Sequence, residues 1–169
     1  GVGKTMLASR APTVMPPLND RESLEVAAVY SVAPSAGPTA VGVRPFRAPH
    51  HSATAAGMLG GGNPPHPGEV SLAHRGGLFL DEFGEFGPAV IQGLRQPLEA
   101  GAVRIVRSGV GVSMPARFLL VAATNPCPCG YAGDTEKGCT CTPSSLDRYL
   151  LRLSGPIMDR VDIAVRMHR

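Results

Sequence analysis

Gly77-Leu78-Phe79-Leu80 carries no polar side chain and is ended at once by two carboxylates, Asp81-Glu82. So short and uniformly apolar a run belongs to a strand covered on both faces, the situation inside a parallel sheet flanked by helices. A second run, Phe118-Leu119-Leu120-Val121-Ala122-Ala123, has the same character and ends at Thr124-Asn125-Pro126. Helix patterns surround both. Asn19 and Glu22 have the spacing of a capping box and predict a helix to about Tyr30. Pro88 suits a first turn, Val90, Ile91, Leu94 and Leu98 line one apolar face, and Gly101 is placed to cap that helix. Ser144 opens another helix, carrying Leu146, Tyr149, Leu150 and Leu153, and Val161–Met167 fits a last strand. The apolar Met6, Leu7 and Ala8 suit a buried helix that Pro12 stops early. Strands alternating with helices predict an α/β fold around a buried parallel sheet.

Two regions interrupt that alternation. Residues 33–75 are rich in Gly, Pro and His without sustained periodicity, and 42–75 reads as a long insertion. Residues 101–118 read as a hairpin, with strands over 102–107 and 112–118 around Ser108-Gly109. The 21 glycines and 17 prolines are spread without a repeat, so they shape loops and do not mark a low-complexity chain. At 169 residues the chain has the size of one domain, and no apolar run reaches bilayer-spanning length. The net charge of +3 is too small to argue for a nucleic-acid partner, so local clustering has to carry that case.

Gly3-Lys4-Thr5 matches the end of the phosphate-binding pattern G-x-x-x-x-G-K-[ST]. Gly1 and Gly3 let backbone N–H groups close on phosphate, because a side chain there would block the approach. Lys4 places a point charge on the β- and γ-phosphates, and Thr5 offers its hydroxyl to Mg²⁺. A helix starting at the phosphates adds its positive end. An apolar strand ending in Asp81-Glu82 puts these acids at the C-terminal edge of the sheet, where α/β proteins bind ligands. Asp81 can hold the Mg²⁺ hydration shell, and Glu82 can orient or deprotonate an attacking water. Asn125, at the tip of the second strand, has an amide able both to donate to a γ-phosphate and to accept from that water. The plainer readings are a strand ending in solvated acids and an Asn-Pro turn.

With these residues stand five longer strings: RPFRAPHHS (44–52), PGEVSLAHRGGLFLDE (67–82), LRQPLEAGAVRIVR (94–107), PARFLLVAATNPCPCG (115–130) and SGPIMDRVD (154–162). Through them the chain resembles the magnesium-chelatase-like AAA+ ATPases, and among these the bacterial competence-type helicases linked to branch migration during natural transformation. The resemblance implies a P-loop NTPase (AAA+) core with inserted loops and a hairpin. It also implies a homo-oligomer, a hexameric ring with each ATP·Mg²⁺ site between neighbours, and Asn125 at the sensor position. Arg160 in SGPIMDRVD matches a trans-acting arginine finger; the alternative is an ion pair with Asp159 or Asp162. Arg148 and Arg152 share a helical face that can reach the same interface. Departures from the family pattern predict a domain truncated at both ends, without the first strand, the C-terminal helical lid or the family's N-terminal domain.

Residues 44–75 hold Arg44, Arg47, Arg75 and four histidines against one acid, Glu69, and the hairpin holds Arg104, Arg107 and Arg117 with no acid. The resemblance puts both near the ring's pore. There Arg104 and Arg107 could grip the phosphates of single-stranded or branched DNA without reading sequence, the alternative being solvated strand faces. His50-His51 reads as a structural turn. The four cysteines, Cys127, Cys129, Cys139 and Cys141, form C-x-C-x9-C-x-C in the segment 127–141. This local cluster predicts a reducing, cytoplasmic compartment and a Zn²⁺ site, with free thiols or a transient disulfide as the alternatives. Three functions follow for testing: a DNA motor, a chelatase-type motor remodelling a protein partner, and a non-catalytic assembly domain.

Overall fold

The computed structural model describes residues 3–33, 36–37, 42–107, 110–134, 136–153 and 157–167. Helices Lys4–Ala8 (α1), Ala11–Val14 (α2) and Asp20–Ser31 (α3) open the chain. Asn19 caps α3 through its side chain, Oδ1 accepting from the Glu22 N–H at 2.9 Å, and Glu22 accepts from the Asn19 N–H at 3.3 Å. The capping box predicted from the spacing is therefore present. Pro12 does not merely stop a helix: it sits in the first turn of α2, where its missing N–H costs nothing.

The 42–75 region is more ordered than an insertion reading implies. It contains Phe46–Arg47 (β1), Ala55–Leu59 (α4), the antiparallel pair Gly60–Gly61 (β2) and His66–Pro67 (β3), and Glu69–Leu72 (α5). Then come Gly77–Leu80 (β4), Pro88–Gly93 (α6), Arg95–Ala100 (α7), Ala102–Arg107 (β5), Val110–Pro115 (β6), Leu119–Ala122 (β7) and Pro143–Leu153 (α8). Strands β1, β4 and β7 form a parallel sheet in the order β1-β4-β7, and β5 pairs with β6 as the predicted hairpin. The connecting Ser108-Gly109 lie outside the described residues. Strand β1 escapes the sequence pattern because only two residues pair. What seats it is Gly76: a Cβ there would lie 1.8 Å from the Pro45 carbonyl oxygen, which accepts from the Gly77 N–H.

Alternation along β4 divides the core. Leu78 and Leu80 face a large cluster with Met58, Val70, Phe83, Phe86, Val90 and Leu94, joined by Val103, Ile105 and Met114 of the hairpin. Phe79 points to the other face, against Ala8 and Ala123. Every residue of β4 is buried, as its composition predicts.

Four expectations are corrected. Strand β7 is half exposed, with Leu119 at 48%, because among the described residues it forms the edge of the sheet. Met6 and Leu7 face outward, and only Ala8 of α1 is buried, since a five-residue helix lying on Phe79 and Ala123 has one covered side. The helix expected over 88–100 is two, α6 and α7, meeting at Leu94: Pro97 has no N–H to give the carbonyl of Gly93. Residues 161–167 form no strand and leave Ile163 and Val165 exposed; an extended segment without a ladder partner has nothing to fix it.

Candidate active site

Strands β4 and β7 run in register, Leu80 opposite Ala122, so their C-terminal ends finish level. The Ala123 N–H donates to Leu80 O at 2.9 Å and the Phe83 N–H to Ala123 O at 2.9 Å, fastening the two tips together. Asp81-Glu82 and Thr124-Asn125 consequently emerge side by side. Ala8 packs on Phe79 and Ala123 and holds α1 over them. Gly3 turns the chain into α1 with φ 76°, a left-handed conformation that glycine adopts without strain.

From α1, Lys4 Nζ donates to Asn125 Oδ1 at 2.6 Å and to Thr124 O at 2.8 Å, and Thr5 Oγ1 donates to Asp81 Oδ2 at 2.6 Å. Asp81 Oδ1 accepts from the Glu82 N–H at 2.9 Å. Lys4, Thr5, Asp81 and Asn125, read from three separate stretches of sequence, are thus brought together as two hydrogen-bonded pairs sprung from adjacent residues of α1. The ammonium and the carboxylate are not bonded to each other; each rests on neutral partners. This donor set fits a nucleotide triphosphate with Mg²⁺: a hydroxyl and a carboxylate oxygen adjoin, as hard-cation ligation needs, with an ammonium and an amide beside them. Gly1 lies outside the described residues. With five residues, α1 contributes little of the helix field expected at the phosphates.

Glu82 has φ 52° and ψ 47°, a left-handed conformation that costs a non-glycine residue roughly 1 kcal/mol. Its carboxylate is half exposed and lies 3.2 Å from His51 Nδ1. His51 in turn stacks obliquely on His50, ring centroids 4.0 Å apart. His51 is thus a site residue that the sequence reading took for part of a structural turn; only the fold brings residue 51 to residue 82. A second missed residue is the buried Tyr149 of α8, whose hydroxyl donates to Asn125 O at 3.0 Å and shares a 2.7 Å hydrogen bond with Thr124 Oγ1. Its ring packs on Gly84, where a Cβ would lie 2.6 Å from Cε2, and desolvation raises the phenol's pKa.

The arginines divide. Arg160, matched to a trans-acting finger with an ion pair to Asp159 or Asp162 as the alternative, pairs here with Glu99 of α7, to which the turn Met158–Arg160 carries it. Arg152 Nη1 donates to Gly84 O at 3.3 Å and Arg148 Nε to Ser144 O at 3.2 Å, so both are engaged within the chain. Arg44, Arg47 and Arg75 bind carboxylates: Arg44 to Glu22 at 3.1 Å, Arg47 to Glu69 through two bonds of 2.7 and 2.9 Å, and Arg75 to Glu25 at 2.7 Å. All three are thus engaged within the chain, Arg44 and Arg75 by Glu22 and Glu25 of α3, which a count over 44–75 omits. Arg104 is exposed on β5, whose Val103 and Ile105 face the core. Arg107 ends that strand, and its side chain is outside the described set.

Beyond Asn125 the four cysteine sulfurs all lie within 4.8 Å of one another. Cys127 Sγ is 3.3 Å from Cys129 Sγ and 3.7 Å from Cys139 Sγ, and Cys129 and Cys139 are 3.6 Å apart. The cluster can hold a metal ion. Its thiols do not ionise alike. Backbone N–H groups of Tyr131 and Thr140 bring Cys129 down to about 5. At Cys141 a backbone N–H from Cys129 lowers the pKa, but desolvation and the three neighbouring sulfurs outweigh it and push the thiol up to about 12.

Comparison with known proteins agrees with this geometry. The model of the family "Magnesium chelatase, subunit ChlI" matches residues 1–169. The chain is 51% identical over 172 residues to an uncharacterised protein of Mycobacterium tuberculosis, covering 100% of this chain and 34% of that protein. It is 47% identical over 168 residues to competence protein ComM of Haemophilus influenzae, covering 99% and 33%. Identity to the chloroplastic magnesium-chelatase subunit ChlI-1 of Arabidopsis thaliana is 28% over 101 residues, covering 60% and 22%. The chain therefore spans about a third of the length of its bacterial relatives. No helix among the described residues is long and apolar enough to cross a membrane. A parallel sheet whose level tips gather Lys4, Thr5, Asp81 and Asn125, with a family match along its whole length, makes this chain a member of the magnesium chelatase ChlI family, an AAA+ family whose members are ATPases.

Proposed function

We propose that the protein carrying this chain is an ATP-hydrolysing ring motor that acts on DNA. The observation that carries the reading is the bonding at the strand tips, where ammonium and carboxylate each meet neutral partners. Groups of opposite charge that lie close without pairing are arranged to take counter-charges from a ligand: polyphosphate for Lys4, a divalent cation for Asp81. Gly3 turns the chain into the phosphate loop, with Gly1 assigned to it by motif alone, and Lys4 binds the β- and γ-phosphates. Thr5 and Asp81 hold Mg²⁺, which when bound neutralises charge between the phosphates. Glu82 takes or orients the proton of the attacking water, and His51 sets the direction of its carboxylate. Asn125 monitors the γ-phosphate. Arg160 acts on a neighbour's site in a hexameric homo-oligomer, having exchanged Glu99 for the transferred phosphoryl group.

Exposed Arg104, with Arg107 on the same hairpin, grips DNA phosphates without stacking on bases; Phe46, the aromatic of the 44–75 region, is occupied against Phe79. Identity to a competence protein over nearly the whole chain supports DNA as partner. The second reading, a chelatase-type motor that remodels a protein partner, draws on the chloroplastic relative and shares the same ATP site. ATP hydrolysis by the full-length protein, measured with and without branched DNA, separates them. Stimulation by DNA is expected, weakened and less salt-dependent when Arg104→Ala is combined with Arg107→Ala. A wild-type rate indifferent to DNA removes the DNA reading, and unchanged stimulation of the double variant removes these two arginines from the path.

A further inference from the structure

Among the described residues of 126–142 there is no helix or strand, and only Cys127 is buried. So long a segment cannot be kept in one conformation by its own apolar contacts. Yet its cysteines converge from two arms, Cys127-Pro128-Cys129 and Cys139-Thr140-Cys141. Gly130 and Gly133, with φ 82° and 78°, turn the chain between them. Four thiolates around one Zn²⁺ at about 2.3 Å stand about 3.8 Å apart; Cys127, Cys129 and Cys139 have sulfurs 3.3, 3.6 and 3.7 Å apart, and all four sulfurs lie within 4.8 Å of one another. Disulfide sulfurs would be about 2.05 Å apart, and all four cysteines are free. Backbone N–H groups already point at sulfur, from Ala132 to Cys127 at 3.2 Å and from Cys129 to Cys141 at 3.4 Å, the outer bonds that orient thiolate ligands.

We propose that Cys127, Cys129, Cys139 and Cys141 bind one Zn²⁺ tetrahedrally, and that the bound metal is a positioning device for Asn125. Binding releases the remaining thiol protons to solvent and involves no change of oxidation state. A polynuclear iron–sulfur cluster would need its cysteines spread further apart, with metal and sulfide between them. The positioning follows from connectivity. The segment leaves directly from Asn125 and returns through α8, whose Tyr149 hydroxyl binds Asn125 O and Thr124 Oγ1. Metal and tyrosine close the loop at its two ends, with the amide that contacts Lys4 at the junction. This second half rests on the nucleotide reading above; the metal site does not.

The test uses the full-length protein purified without added metal. Elemental analysis should find one zinc per chain, and Co²⁺ exchanged into the site should give the visible absorption of a tetrahedral tetrathiolate. Cys139→Ser with Cys141→Ser should abolish both. In the wild type, stripping zinc with a mercurial thiol reagent and chelator should speed tryptic cleavage after the exposed Lys137 at least tenfold, with reversal on adding Zn²⁺; this arm does not depend on the variant folding. The same cycle should lower kcat for ATP severalfold, with little change in the ATP concentration at half-saturation. Protein that folds with four thiols, no zinc and no Co²⁺ signal overturns the metal site. Zinc whose removal changes proteolysis but not kcat overturns the positioning role. A zinc-loaded wild type that hydrolyses no ATP leaves the metal site standing and refutes the nucleotide reading instead.

Discussion

At the start of β4, His74 and Arg75 reach back to α3, where Glu25 accepts from both, at 3.2 and 2.7 Å, and Glu22 binds Arg75 and Arg44. His74 is buried and desolvation lowers its pKa; its Nδ1 accepts from the Arg117 N–H, so Nε2 carries the proton given to Glu25. At the other end of the same strand, Asp81 meets a neutral hydroxyl and half-exposed Glu82 meets only His51 among the described residues. One end spends its charges on one another across three elements and so fixes the strand's position. The other rests Lys4 and Asp81 on neutral groups carried by the same short helix and the neighbouring strand tips. Charge that is already paired stabilises a fold, and charge held beside a neutral partner remains available to a ligand.

The contrast can be broken most directly at the tips. In the full-length protein Glu82→Gln should reduce ATP turnover by about 100-fold or more, the scale of a lost general base, while thermal unfolding stays near that of the wild type. A large loss of thermal stability with turnover preserved would reverse the roles assigned to the two ends. Glu25→Ala should do the opposite. Leaving His74 and Arg75 without their carboxylate should cost about 2 kcal/mol in urea unfolding, with turnover per folded molecule unchanged. The same glutamate sharpens the comparison through pH. Its bond to Arg75, the largest cause, holds its pKa at about 2 in place of the usual 4.5. A depressed carboxylate contributes stability that is complete above its unfolded pKa and is lost as pH falls through the folded one. Stability should therefore decline between about 4.5 and about 2, and Glu25→Gln should flatten that limb in acid-unfolding curves. The smallest effect is expected at Tyr149→Phe. Removing the hydroxyl should cost about 1 kcal/mol of stability and lower kcat a few-fold with ATP affinity intact, as measured by steady-state kinetics alongside nucleotide binding.

Much of the fold was legible because its signals are local. The uninterrupted apolar run of β4, the spacing of Asn19 to Glu22 and the positive φ at Gly101 each act within a few residues, and each appears as expected. The strand over 161–167 failed for the converse reason: alternation records a preference, and a ladder needs a partner edge. At the tips, the types and order of Lys4, Thr5, Asp81 and Asn125 were readable because phosphate and Mg²⁺ chemistry restricts which side chains serve and strand ends restrict where they stand.

What the sequence by itself determined is therefore some of the parts: that the uniformly apolar runs of β4 and β7 become strands, which residues carry charge to their ends, and which cysteines stand close enough along the chain to share an ion. Tertiary structure alone decided the pairings. Nothing local to His51 points to Glu82, nothing near Tyr149 to the Asn125 carbonyl, and nothing near Arg44 or Arg75 to the acids of α3. The physical reason is that propensity and capping are settled over a few bonds. A hydrogen bond between residues 31 or 24 positions apart exists only once packing has set the elements that carry them, and a charge's role depends on which neighbour that packing delivers.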